Sequence, residues 1–154
     1  MRQRDDEQYY FYRLYSIDFD TTRHALRVLK RYRRQDVRVC ILRDTVVSYA
    51  RPFSGNRVEK TRNHQLRRKF VPAEFRALHE ELLRLRCEQL AHTDRTYYKP
   101  KVANWSKPGR KWFPMSFRGY DYSKLDSQVP NIERLVAAVE RNLQSEIAAI
   151  ESRF

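Results

Sequence analysis

The chain has 154 residues, enough for one domain with a sizeable core. Hydrophobic residues make up 41% of it without a run near membrane-span length, and three glycines argue against a glycine-rich phosphate loop or a β fold full of tight turns. Thirty-two Lys and Arg stand against nineteen acids, a formal charge of +13, which fits either a polyanionic partner such as RNA or DNA or a heavily solvated basic surface.

The first ten residues, MRQRDDEQYY, hold no apolar signal core, so a cytoplasmic protein is expected. Residues 2–8 are charged and expected to fray. Tyr9-Tyr10-Phe11-Tyr12, followed by Leu14, Tyr15 and Ile17, fits either the start of a helix or a docked extended arm. Asp18 or Asp20 can cap a helix over 19–34. Phe19, Thr22, Leu26, Leu29 and Tyr32 form its apolar face, with Arg27, Lys30, Arg31, Arg33 and Arg34 on or near the other. A second helix is predicted over 36–51 from Val39, Leu42, Val46 and Tyr49, although its β-branched residues also allow strands. Pro52 ends it, and 57–70 is polar and basic with weak helical character.

The longest clean helical pattern covers 72–95, with a helix expected over 73–92. Leu78, Leu82, Leu85 and Gln89 form one stripe, extended backwards by Phe75 and Val71, and His79, Leu83, Arg86 and Leu90 form another. A helix with two stripes is packed on two sides, so this one is expected to be central, with Leu83, Arg86 and Leu90 at or beside a dimer seam. Pro72 suits its first turn.

Residues 93–125 are expected to be largely irregular, because Pro100, Pro108, Gly109, Pro114 and Gly119 break any helix. Short strands near RTYYKP and KWFPMSF can form a small hairpin there. Eight aromatics in this segment interleave with Arg95, Lys99, Lys101, Lys107, Arg110, Lys111 and Arg118. A basic groove with exposed rings is what a single strand of nucleic acid stacks on. Tyr97 and Tyr98 with the nearby cations are the candidates for that role, and Trp105, Trp112, Phe113 and Phe117 are expected to anchor the loop to the helical body. A last core helix is predicted over 131–150 from Ile132, Leu135, Val136, Val139, Leu143, Ile147 and Ile150.

The two cysteines, Cys40 and Cys87, are far apart and make no CxxC, so both are expected to be small buried side chains. No ligand spacing supports a zinc site from Cys40, Cys87, His79 and His92, which leaves a zinc-dependent hydrolase as a distant rival.

Arg86, five intervening residues and His92 close the 73–92 helix in a helical chain. This resembles the signature of the HEPN superfamily, an Arg followed by four to six residues and a His. LAHTD after a Leu/Glu-rich helix is similar to those families too, and RDTVVSYARPFSGN is similar to an earlier helix of some HEPN-like proteins. The resemblance covers about a third of the chain and leaves out the aromatic segment. It implies an all-α helical bundle over 1–154 with a long insertion before the last helix. It also implies a homodimer that cleaves RNA without metal or cofactor in a toxin–antitoxin or phage-defence setting, with an antitoxin or nucleotidyltransferase as partner. Other members have no known cleavage activity, and a non-catalytic dimeric module binding nucleic acid or protein is the rival from a different class. Active members commonly carry Asn after the Arg; here Cys87, a weak hydrogen-bonding group, takes that place.

The chemistry is sensible in its own right. A His can move the proton of an attacking 2′-OH, and an Arg can neutralise the pentacoordinate phosphate. Six residues at about 100° each set the two side chains about 120° apart on one straight helix. Either the helix changes before His92, or two chains contribute across a two-fold axis. The structural alternative is an Arg86 paired with Glu81, Asp44 or an acid of a partner chain and a His92 that caps carbonyls. Cys87 and His79, the latter two turns before Arg86, are the accessory candidates.

Overall fold

The computed structural model describes residues 3–59, 62–91 and 98–153. Helices dominate: α1 Gln3–Leu29, α2 Gln35–Ala50, α3 Arg76–Leu85, α4 Tyr122–Ser127 and α5 Val129–Glu151. Two β-hairpins interrupt them, β1 Asn56–Glu59 with β2 Arg62–His64, and a longer one built from β3 Lys101–Val102, β4 Trp105–Lys107, β5 Arg110–Trp112 and β6 Met115–Ser116.

The helix around which the others gather is α1, not the 73–92 segment. It packs on α2 and on α5, while α3 leans chiefly on α2. It also starts far earlier and ends sooner than the 19–34 expected from the sequence. Tyr12, Tyr15, Phe19, Thr22, Leu26 and Leu29 are all buried and recur at helical spacing, so the aromatic run is the front half of the core face. Its end is closed from outside: Arg38 Nη1 donates to the carbonyls of Leu29 (2.9 Å) and Tyr32 (2.8 Å), and the Tyr32 amide also donates to the Leu29 carbonyl (3.3 Å). The same guanidinium reaches Asp126 through Nε (3.1 Å), tying α1 to α4. Tyr32 lies beyond the helix and is exposed.

Helix α2 resolves the strand alternative in favour of helix, with Leu42, Thr45, Val46 and Tyr49 buried on one face. Residues 57–70 are not weakly helical. They hold β1, β2 and a short 3₁₀ turn, Arg68–Phe70, pinned where the Leu66 amide donates to the Pro52 carbonyl (2.6 Å). The predicted 73–92 helix divides into three: a 3₁₀ turn Ala73–Phe75, ten α residues, then a π-helical turn Arg86–Ala91. Helix α4 begins at Asp121, whose carboxylate accepts from the Ser123 amide (3.0 Å), and α5 buries the apolar series expected of the last helix.

Within 93–125, expected to be largely irregular with a small hairpin, residues 101–116 form that hairpin in one register. Lys101 pairs with Ser116, Val102 with Met115, Trp105 with Trp112, Ser106 with Lys111 and Lys107 with Arg110. Between the two ladders the Ala103 amide donates to the Pro114 carbonyl (2.9 Å), which keeps the same offset. Pro108-Gly109 forms the turn, with Gly109 at φ 77°, a conformation that suits glycine. At the base, the Arg118 amide donates to the Tyr98 carbonyl (2.7 Å).

Candidate nucleic-acid interface

Directly opposed residues of an antiparallel pair share a face, and successive residues alternate. Val102 and Met115 are opposed, and Phe113 and Phe117 flank Met115 at two-residue spacing. These four side chains are 62%, 59%, 62% and 63% exposed, so an apolar strip along one face of the hairpin is open to solvent. The other face carries Lys101, Lys107, Arg110 and Trp112. The Arg110 guanidinium lies 4.9 Å from the centroid of the Trp112 ring, close enough for a cation–π contact. Residues 98–118 contain six basic residues, Lys99, Lys101, Lys107, Arg110, Lys111 and Arg118, and no acidic one. Lys99 turns the chain into the hairpin at φ 43°, a region non-glycine residues seldom occupy.

The hairpin places the sequence candidates clearly. Lys99, Lys101, Lys107, Arg110 and Lys111 are exposed, and Tyr98 is half-buried edge-on to Phe117 (6.2 Å). Arg95 and Tyr97 lie outside the described residues. Phe113 and Phe117 are not anchors: their rings face solvent, because strand alternation sends them to the uncovered face. Trp112 is half-buried beneath Arg110, and of Trp105 only the backbone pairing is described. At the exit of the hairpin, the Tyr120 hydroxyl donates to Glu81 Oε1 (3.3 Å), tying the segment to α3.

His92 also lies outside the described residues. Its expected companion Arg86 is half-buried at the first position of the π-helical turn, and no carboxylate pairs with it among the described residues. Glu81 is engaged by Tyr120 and Asp44 is exposed on α2. Cys87 and Cys40 are free and exposed rather than buried, since each falls on the outward side of its helical segment. His79 is 3% exposed, its Nδ1 hydrogen-bonded to the Tyr49 hydroxyl (2.8 Å) and its ring edge-on to Phe53 (4.5 Å). Burial pushes its pKa down to about 4, with Glu80 opposing and Arg68 reinforcing the shift, so the ring is neutral at pH 7. Part of the second stripe of the 73–92 segment is thus covered within the chain: His79 meets α2, and Leu90 packs against the core. Among the described residues no cluster of His, Cys, Asp and Glu could hold a metal ion.

Sequence reading takes His64 for an ordinary histidine. Its ring lies flat on Phe11 (4.3 Å, 9°), Tyr12 stands edge-on to it (6.2 Å), and Nδ1 is 2.9 Å from the Tyr15 hydroxyl. Burial lowers its pKa, and Arg67 adds to the shift while Glu7 opposes it. The available signal was the alternation after β2, where Leu66 turns into the core and Gln65 and Arg67 turn out.

No helix among the described residues is long and apolar enough to cross a membrane. No family model matches the chain, and no curated protein or solved structure matches it.

Proposed function

We propose that the protein binds single-stranded RNA, and that the 98–118 hairpin is the surface that does so. The observation that carries this is the coincidence, on one ribbon of constant register, of six cations, no acid and an open strip with two phenylalanine rings. Cations track the phosphates, and exposed rings give bases a face to stack on without demanding a sequence. Binding is expected to weaken steeply between low and physiological salt as counterions are released. Reversing Lys107, Arg110 and Lys111 to Glu should lower affinity at least tenfold and flatten the slope of log K against log salt by about 0.7 for each phosphate no longer neutralised. Filter binding or fluorescence anisotropy across a salt series tests this. Wild-type binding that is undetectable at low salt, or indifferent to salt, ends the proposal.

A second reading adds cleavage. Arg86 favours it, being half-buried, without a carboxylate partner among the described residues, and set on a π-helical turn, an irregularity frequent at functional sites. In this reading Arg86 holds the scissile phosphate and His92 moves the proton, within a homodimer of the HEPN kind, and RNA is cut in EDTA to leave a 2′,3′-cyclic phosphate. His92→Ala should then slow cleavage about a hundredfold or more with the thermal transition intact. Cys87→Asn restores the residue usual in active HEPN proteins. If wild type and Cys87→Asn are both inert as purified proteins on varied RNAs, the binding module stands without the enzyme.

A further inference from the structure

We propose that a hollow where β2 meets α1 binds a phosphate group. Gln8 and Tyr12 of α1 and His64, Gln65, Arg67 and Lys69 from the end of β2 onward line it. Its volume is about 140 Å³, well beyond the ~10–15 Å³ that one water requires on the same measure, so a tetrahedral oxyanion fits.

The lining is built to donate. Phe11 beneath and Tyr15 at Nδ1 fix the His64 ring, so its second nitrogen has one orientation rather than many. Gln8 Nε2 donates to the Tyr12 hydroxyl oxygen (2.7 Å), which leaves the phenolic proton to donate elsewhere. Arg67 is exposed and has no carboxylate partner among the described residues, and its planar fork matches two phosphate oxygens. Lys69 is held by Glu146 on α5 (2.9 Å), which sets the position of its ammonium but takes up part of its charge. Glu7 is the carboxylate whose field reaches His64, and Arg67 acts against it. Arg67 and the ring of His64 therefore carry most of the recognition, with Tyr12 and Gln65 completing the cradle. None of these residues belongs to the 98–118 hairpin or to the Arg86 turn, so the hollow does not depend on how either of those functions.

The shared chemistry is a phosphate, supplied free in solution or as the end of an RNA strand, and the experiment separates the two. The His64 ring signals are followed by NMR during titration with inorganic phosphate, in wild type and in Arg67→Ala. Millimolar phosphate should move the His64 signals, with binding about tenfold weaker in Arg67→Ala, as expected for removing one charge-assisted hydrogen bond. A 5′-phosphorylated oligoribonucleotide that competes about tenfold better than its 5′-hydroxyl twin identifies the strand end as the source. Absence of competition by either strand assigns the site to free phosphate. The Lys107→Glu/Arg110→Glu variant should keep the full phosphate response even where RNA binding is lost, which separates failure of the hairpin from failure of the hollow. Signals that stay still with every probe, or that move equally in Arg67→Ala, overturn the proposal. His64→Gln supplies a second check, read by the anisotropy of a labelled 5′-phosphorylated strand: competition by inorganic phosphate should disappear while the thermal transition persists.

Discussion

The helical body and the 98–118 hairpin use the same residue types to opposite ends. In α1 the rings of Tyr12, Tyr15 and Phe19 are buried; in the hairpin Phe113 and Phe117 point into solvent. Some cations of the body are matched across elements, Arg23 with Glu140, Lys30 with Glu133, Arg38 with Asp126 and Lys69 with Glu146. The hairpin has six cations and no acid of its own. Exposed ion pairs of this kind contribute little each, and they leave the body itself basic, with 26 of the 32 Lys and Arg against all nineteen acids. The ribbon contains no carboxylate of its own, so any neutralisation of its cations has to come from another part of the chain. On the proposed reading, folding free energy and binding free energy fall to different parts of one chain.

The sharpest way to break that comparison is to truncate one ring on each side of it. Phe19 is fully buried, and Phe19→Ala should cost about 3–5 kcal/mol in chemical or thermal unfolding. Phe117→Ala, at an exposed position, should stay within about 0.5 kcal/mol and weaken RNA binding instead. A Phe117→Ala protein that melts like Phe19→Ala would mean that the hairpin is part of the core.

The next effect belongs wholly to the body. His79 is neutral in the folded chain because burial holds its pKa near 4, against about 6.5 when unfolded. Between those values the unfolded state binds the proton and the folded state does not. Stability is therefore complete above about pH 6.5 and falls as pH drops towards about 4, by roughly 3 kcal/mol. His64, lowered in the same sense, adds to the loss. Urea midpoints taken between pH 7 and pH 4 measure it. His79→Leu should flatten this acid limb, while lowering stability at neutral pH because the Tyr49 hydroxyl loses its partner. An unchanged acid limb in His79→Leu would place the titrating group elsewhere.

How far each region was legible follows from its periodicity. The α5 series and the Leu42, Val46, Tyr49 face of α2 repeat at three and four, and the chain folds as that spacing predicts. Helix α1 carries the same period in Tyr12, Tyr15 and Phe19, but the run Tyr9-Tyr10-Phe11-Tyr12 puts rings on every side at once and blurs the stripe. Tyr10, Leu14 and Ile17 then remain exposed on the outer face, so apolar character alone could not say which side was in. The hairpin announces itself differently. Trp105-Ser106-Lys107 and Arg110-Lys111-Trp112 mirror each other about Pro108-Gly109, which is the signature of a two-residue turn with residues paired across it. A small hairpin is expected in this segment, but counting prolines as helix breakers does not place its turn at Pro108-Gly109 or its register. The hollow at His64 was the least legible, because its walls come from residues 8–12 and 64–69 and nothing local joins them.

The smallest effect tests whether the geometry of the ribbon, and not just its charge, serves binding. Gly109 sits at φ 77°, and a Cβ added there meets nothing within 4 Å. The cost of Gly109→Ala is therefore conformational alone, about 1 kcal/mol for forcing an L residue into the left-handed region. A two-stranded hairpin is marginal in isolation, so a cost of that size is enough to shift its population. The helical core does not depend on it, and the melting temperature should stay put. RNA affinity should fall by up to about fivefold, the factor that about 1 kcal/mol represents. Because every cation is still present, the salt slope should not change, unlike in the Lys107, Arg110 and Lys111 reversal. Gly119→Ala is the matched control: it too has open space around its Cβ, and its φ lies outside the left-handed region, so both affinity and stability should be unaffected. Should Gly109→Ala bind as tightly as wild type, the ligand is held by a diffuse positive charge, and the strip of Phe113, Met115 and Phe117 is not where the bases stack.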